Sequence, residues 1–397
     1  MAKGRTSKCE ILVINQIAQV GLKRFPAERY SVVKEAKDPE AILVRSADLH
    51  KHEFGPGLKA VGRAGAGTNN IPVAALSKRG VPVFNAPGAN ANAVKELVLA
   101  GMLIAARNLG PALEFTRALQ GDDFEKRVED GKKQFAGVEL PGHTLGLIGL
   151  GKIGSLVADA AIRLGMNVLG YDPHITVEAA WSLPSQVKRA ASVDEVLKGS
   201  HFVSLHVPLV EKTRDLVNAR NIEHFRQGTV LLNFSRDGVV AEEAVRKGLA
   251  SGRLKWYVTD FPSEGLLGQA GVIALPHLGA STREAEDNSA IMVADQVREY
   301  LEHGTLQNAV NFPEAILPRE APYRLAIANA NVPDMLGAIS HALGRRKINI
   351  HNMLNKSKGE MAYTLVDADS PVPQAVVDEL CELKGVLAVR YLPVSDG

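Results

Sequence analysis

Six residues, Gly149-Leu150-Gly151-Lys152-Ile153-Gly154, follow the apolar run Leu145–Ile148 and open a helical pattern. In that setting each glycine has a mechanical purpose. Gly149 permits a tight turn, Gly151 lets a pyrophosphate approach the backbone, and Gly154 lets helix and strand pack closely. The helix N-terminus adds free N–H groups and partial positive charge. Seventeen residues separate Gly154 from Asp172, which ends the next strand-like run. A carboxylate there can accept both hydrogen bonds of an adenosine ribose diol and would repel a 2′-phosphate. Pro173 and His174 follow, with no arginine to reverse that preference, so the pattern points to NAD rather than NADP.

Three later segments carry groups that could act on such a cofactor's partner. Asn233–Gly238 contains Arg236, Asp260–Glu264 holds two carboxylates, and Leu275–Thr282 contains His277. Each follows a strand-like run, and ligands of open α/β sheets bind beyond the carboxyl ends of the strands. A histidine oriented by a carboxylate can take an alcohol's proton as hydride leaves the carbon. An arginine can hold a carboxylate on two parallel bonds and stabilise charge on the reacting oxygen. A lone histidine beside a proline is more often structural; the order of segments after a dinucleotide motif carries the reading. Earlier in the chain, Arg45 and Arg63 each follow a strand-like run, and two arginines converging there would suit a doubly charged acid. Gly65 to Thr68 should offer backbone N–H groups to a carboxylate. The competing reading is that each arginine is a surface ion-pair partner.

The elements that must position these groups are read from periodicity. Ile11–Ile14, Ala41–Val44, Ala60–Val61 and Val81–Phe84 predict short buried parallel strands, and residues 90–107 a helix. A second series runs through Thr144–Ile148, Asn167–Tyr171, Phe202–Leu205, Val230–Asn233 and Trp256–Thr259. Strands spaced this way with helices between them predict two Rossmann-like, doubly wound α/β domains. After Asn311 three prolines break all periodicity, which predicts an extended linker over 311–321. Beyond it come strand Tyr323–Ala328, helix Pro333–Leu343, strands Ile348–Met353 and Ala362–Val366, helix Pro373–Leu383 and strand Val386–Tyr391. That is the ferredoxin-like order βαββαβ. The expected organisation is 1–92 with 276–310 for substrate, 93–275 for the dinucleotide, and 322–397 as a separate module.

Composition excludes several classes. With 397 residues the chain exceeds one ordinary core. Its formal net charge is +2 with both signs interspersed, so no basic stripe suggests nucleic acid. Cys9 and Cys381 make neither a disulfide framework nor a metal cluster, and a reducing cytoplasm is expected. The start Met1–Arg5 is basic without a following signal core. Leu97–Ala106 is about half a membrane span and is expected to be a buried helix.

On these motifs the chain resembles the D-isomer-specific 2-hydroxyacid dehydrogenases, and among them the phosphoglycerate-oxidising members. Gly62–Gly67, Gly149–Gly154 with Asp172, Leu205–Leu209 and Pro276–Thr282 carry the resemblance, which spans nearly the whole chain. It implies oxidation of 3-phosphoglycerate with NAD, with His277 as acid/base and Arg236 on the substrate carboxylate and keto oxygen. It implies that Asp260 contacts the nicotinamide carboxamide. Cofactor contacts are further implied at Lys152, Ile153, His206, Val207, Pro208, Phe234, Ser235, Gly279 and Ala280. Substrate contacts are implied at Arg45, Arg63, Ala64, Gly65 and Asn90. The family usually carries two acids and a proline after the strand ending in Asp260. Here Glu264 is the nearby acid and the expected partner of His277, with Asp287 as the alternative. The C-terminal module resembles an ACT domain, an amino-acid-sensing fold. Asn329, Asn331 and Asn349 then match positions that hold L-serine, although Asp334 stands where the family usually has glycine. A homodimer or homotetramer is expected. The rival readings are a dehydrogenase of another D-2-hydroxy acid, such as glycerate or 2-hydroxyglutarate, and a non-catalytic NAD-sensing regulator.

Overall fold

The β-branched runs assemble into three sheets. The first is parallel and contains β1 (Cys9–Ile14), β2 (Tyr30–Val33), β3 (Ala41–Val44), β4 (Ala60–Arg63) and β5 (Val83–Phe84), in the order β2-β1-β3-β4-β5. The second contains β6 (Thr144–Ile148), β7 (Asn167–Tyr171), β8 (Lys188–Arg189), β9 (Phe202–Leu205), β10 (Thr229–Asn233), β11 (Leu254–Thr259) and β12 (Val272–Ala274). Its order is β12-β11-β10-β9-β6-β7-β8, with every pairing parallel. The third is antiparallel: β13 (Tyr323–Ala330), β14 (Ile350–Lys358), β15 (Met361–Ala368) and β16 (Val386–Pro393), in the order β14-β15-β13-β16. The structure, a computed structural model, describes residues 8–394. The basic start Met1–Arg5 lies outside the described residues.

Two doubly wound α/β sheets and a βαββαβ module are the fold class that the periodicity implied. All four residues of β3 and all five of β10 are buried, which is why these strands read as continuous apolar runs rather than alternating ones. Contacts divide the chain into two compact units, Met1–Ala89 with Glu286–Gly397, and Asn90–Ala285.

In the first unit the C-terminal sheet does not hang on a free linker. Ala326, Ala328, Tyr363 and Leu365 are buried in one cluster with Ile11, Leu43, Val293 and Val297. Leu325 and Ile327, which alternate with Ala326 and Ala328 along the strand, are buried instead among the residues of the module's own helices. Successive residues of a strand point to opposite faces, and here both faces are apolar, so the face without helices needs its own cover. Helix Arg283–His303 and the segment expected as linker supply it. Phe312 and Ala315 are buried, and Ala315 exchanges backbone hydrogen bonds with Leu306. The Asn311 side chain bonds the Val83 N–H and the Val81 carbonyl. Arg324 on β13 pairs with Asp367 on β15 at 2.6 and 2.8 Å, both side chains fully buried. Two further N–H groups donate to the His303 and Pro318 carbonyls, tying sheet, helix end and linker together.

In the second unit helix Ala91–Ala106 buries Val94, Val98, Met102 and Ala105 in one cluster with Val157, Ala158 and Ala161 of helix Lys152–Arg163. The expectation of a buried helix here agrees with this packing. Among the described residues no single helix is long and apolar enough to cross a membrane.

Candidate active site

The glycine turn between β6 and helix Lys152–Arg163 has the geometry its spacing implied. Gly149 has φ +94°, and a Cβ there would lie 2.4 Å from the His206 carbonyl oxygen. At Gly154 a Cβ would lie 2.1 Å from the Gly149 oxygen, so only glycine lets helix and strand approach this closely. At Gly151 a Cβ would meet nothing within 4 Å, which leaves open space above the helix start. Lys152 and Ile153 form its first turn. Asp172, just past β7, accepts the N–H of Leu150 on one oxygen and of His174 on the other, both at 2.9 Å. The carboxylate is thereby fixed beside the turn.

His206 directly follows strand β9, with Val207 and Pro208 after it. Its N–H donates to the Ile148 carbonyl at 2.7 Å, Nε2 lies 2.9 Å from Ser204 Oγ, and Nδ1 is buried without a partner. Burial pulls its pKa from 6.5 down to about 4, so the ring is neutral at physiological pH. The unfolded chain then takes up the proton first as pH falls. The stability tied to this group is complete above pH 6.5 and is lost as pH falls toward about 4. A shift of that size corresponds to about 3 kcal/mol at most. Replacing His206 by glutamine is expected to flatten this limb of the stability–pH curve in urea unfolding; an unchanged slope would assign the loss to other groups.

Arg236, Asp260 and His277 come together at the carboxyl ends of β10, β11 and β12. Asp260 is buried, and burial raises its pKa, opposed by the Gly279 N–H bond and by the charges of His277 and Arg236. Its Oδ2 accepts the Gly279 N–H at 2.9 Å, while Oδ1 is buried without a partner. His277 donates its backbone N–H to the Asp260 carbonyl at 2.9 Å and sets its imidazole 4.7 Å from the Phe261 ring. Its φ of 48° is uncommon for a residue with a side chain, the kind of strain that tertiary structure imposes at functional positions. The exposed Arg236 donates NH1 to the Ser235 carbonyl at 2.6 Å. Phe234 and Ser235 are buried behind it, and Gly279 and Ala280 follow the histidine loop.

One residue of this group had no role assigned from the sequence. The Asn233 side chain accepts from Ser235 Oγ at 2.9 Å and donates to the Arg236 carbonyl at 3.0 Å, which holds the turn carrying the arginine. Its signal was a polar residue ending an otherwise apolar strand. Glu264 does not occupy the place expected of it. Itself exposed, it begins the 3-10 turn Glu264–Leu266 and makes no hydrogen bond or ion pair with His277. Arg246 fixes that turn by donating to the Gly265 carbonyl at 3.0 Å. Asn90 precedes helix Ala91–Ala106, and its side chain caps nothing.

The remaining substrate candidates belong to the first unit. Arg63 donates Nε to the Arg45 carbonyl at 3.1 Å. Its guanidinium covers the following turn, since a Cβ at Gly65 would lie 2.3 Å from NH1. Ala64 is buried beneath it, and Arg45 pairs with Glu286 at 2.7 Å. In the C-terminal module the three asparagines do not gather within one chain. Asn329 is buried and donates to the Ala330 carbonyl, and Asn331 donates to the Gly359 carbonyl. Asn349 bonds Asp369 at the opposite end of the sheet, where Ile350 pairs with Ala368. Strands β13 and β14 both run antiparallel to β15, so the end of one and the start of the other lie a strand length apart.

The residues fit a dinucleotide: an open glycine turn at a helix start, a fixed carboxylate beyond the second strand, and an unpartnered buried oxygen on Asp260 for a carboxamide N–H. The family described as D-isomer specific 2-hydroxyacid dehydrogenase, NAD binding domain, matches residues 99–279. The D-3-phosphoglycerate dehydrogenase of Haemophilus influenzae is 31% identical, over 97% of this chain and 98% of that one. That of Methanocaldococcus jannaschii is 36% identical over 78% of this chain but only 58% of its own length, so the chain spans little more than half of that relative. Among solved structures, the NAD+-bound 3-phosphoglycerate dehydrogenase of Entamoeba histolytica superposes with a TM-score of 0.60 at 25% identity, covering 77% of this chain and 99% of that one. The chain belongs to the D-isomer-specific 2-hydroxyacid dehydrogenase family.

Proposed function

We propose that the protein oxidises 3-phospho-D-glycerate to 3-phosphohydroxypyruvate with NAD, the step that opens serine synthesis. The grouping of Arg236, Asp260 and His277 at three adjacent strand ends carries this reading. NAD held at Gly149–Gly154 and Asp172 supplies the hydride acceptor. His277 takes the hydroxyl proton as the hydride leaves the same carbon, and Arg236 holds the carboxylate and stabilises charge on the forming keto oxygen. Asp260 orients the carboxamide through its unpartnered oxygen. Arg45, Arg63 and the Gly65 turn hold the anionic substituents, and Asn90 contacts the substrate. Steady-state turnover on 3-phosphoglycerate, glycerate and 2-hydroxyglutarate, each with NAD and NADP, tests the reading. Phosphoglycerate should give the highest kcat/KM, and NAD should exceed NADP at least tenfold, about 1.4 kcal/mol. A different preferred acid, or equal use of both cofactors, would overturn the corresponding part.

The C-terminal module is proposed to take L-serine at a seam between two copies. Antiparallel pairing of two free β14 edges would bring Asn349 of the partner subunit to the end that carries Asn329 and Asn331. Amide side chains offer both donors and acceptors to a zwitterion. The proposed assembly is a homodimer or homotetramer in the cytoplasm. Calorimetry on the whole protein is expected to detect serine binding in the micromolar-to-millimolar range, about 4–8 kcal/mol. Absence of heat at millimolar serine would leave the module a structural element.

A further inference from the structure

Arg45 shares its guanidinium with a carboxylate of its own chain. Helix Arg283–His303 places Glu286 Oε1 2.7 Å from Arg45 NH2, with the two side chains 42% and 37% exposed. Glu286 also stands on the rim of a cleft of about 940 Å³ at the carboxyl ends of β1 and β2. Lys23 and Lys34 line the same cleft, and neither makes an ion pair or a side-chain hydrogen bond among the described residues. Arg63 follows at the next strand end, bonded to the Arg45 carbonyl. Four cations therefore surround this end of the sheet, and Glu286 is the acid set directly on one of them.

A fixed negative charge beside an anion-holding arginine disfavours each ligand in proportion to the ligand's own charge. A phosphorylated 2-hydroxy acid carries about three negative charges at neutral pH, its unphosphorylated counterpart one. We propose that Glu286 is a specificity-determining residue that narrows the advantage of phosphorylated over unphosphorylated substrates at Arg45. This rests on the reading of Arg45 as a holder of the substrate's anionic substituent. Glu286 keeps the arginine fork in place while lowering its positive potential, so the residue sets how much ligand charge the site favours.

Glu286→Gln separates these two effects, because the amide keeps the length and the acceptor oxygen and loses the charge. The position is exposed on a helix, so the variant should fold. At low ionic strength the ratio of kcat/KM for 3-phosphoglycerate to that for glycerate should rise about three- to tenfold, through KM rather than kcat, and the gain should shrink in high salt. In an Arg45→Gln background the ratio itself should fall, because the more highly charged acid loses the cation that holds it. An unchanged or lowered ratio in Glu286→Gln would overturn the proposal while leaving the enzyme assignment intact. If the unaltered protein oxidises neither acid, the assigned activity itself has failed and the proposal falls with it.

Discussion

Turnover is expected to fall by a factor on the order of 10²–10⁴ when His277 is replaced by alanine, the usual worth of a positioned general acid/base. The structure separates this side chain from the scaffold that presents it. The backbone bond from His277 to the Asp260 carbonyl and the bond from Gly279 to the Asp260 carboxylate both use main-chain N–H groups, so the loop keeps its path without an imidazole. The imidazole's contact is with the Phe261 ring, whose loss leaves space rather than an unpaired polar group. Dinucleotide affinity should hardly change, because the glycine turn and Asp172 lie beyond other strands, β6 and β7. The expected result is a loss in kcat with nearly unaltered cofactor binding, measured by steady-state kinetics beside a fluorescence titration of NADH. Near-normal turnover would remove His277 from the chemistry. Arg236→Lys should also be costly, because an ammonium cannot reproduce the planar fork.

Most of the fold was legible because buried parallel strands announce themselves as apolar runs. The strands the sequence did not yield are β2, β8 and β12, and all three are sheet edges. Each is short, and none has a fully buried pattern; β8 is two exposed basic residues. An edge strand is held by its neighbour's backbone rather than by its own side chains, so it leaves little periodicity to read. The glycine turn was legible because Gly149 and Gly154 are required by close backbone approaches, which leave no substitute. Asp260, Arg236 and His277 were legible as strand-end residues, but Glu264 was chosen as the acid nearest to Asp260. A one-residue difference in a loop turns a side chain elsewhere, and spacing alone does not show that. The docking of the C-terminal sheet had a signal that went unused. The segment Tyr-Arg-Leu-Ala-Ile-Ala-Asn-Ala in β13 is apolar on both faces, whereas a module with one solvent-facing side would alternate.

That same strand carries the second large expected effect. Replacing Arg324 by methionine should destabilise the first unit by about 3–5 kcal/mol, the cost of leaving a buried charge without its partner. The side chains of Arg324 and Asp367 have no exposed surface, and the arginine's N–H groups are shared among the carboxylate and the carbonyls of His303 and Pro318. Removing the guanidinium strands a carboxylate whose next donor is the Glu320 N–H at 3.5 Å. It also frees two carbonyls that hold the end of helix Arg283–His303 and the 311–321 segment against the sheet. The loss should appear as a lowered urea midpoint and as faster proteolysis within 311–321, where the chain is otherwise packed. Methionine fills most of the arginine's volume, so a cavity does not account for the effect. The double variant Arg324→Met with Asp367→Leu provides the control. Removing both charges together abolishes the stranded carboxylate, and buried ion pairs replaced by apolar side chains of similar volume are often neutral or better. The double variant should therefore recover most of the stability that the single one loses. A single variant that unfolds at the normal urea concentration would show that the pair is not what fastens the sheet. A double variant as unstable as the single would assign the loss to the two freed carbonyls instead of the carboxylate.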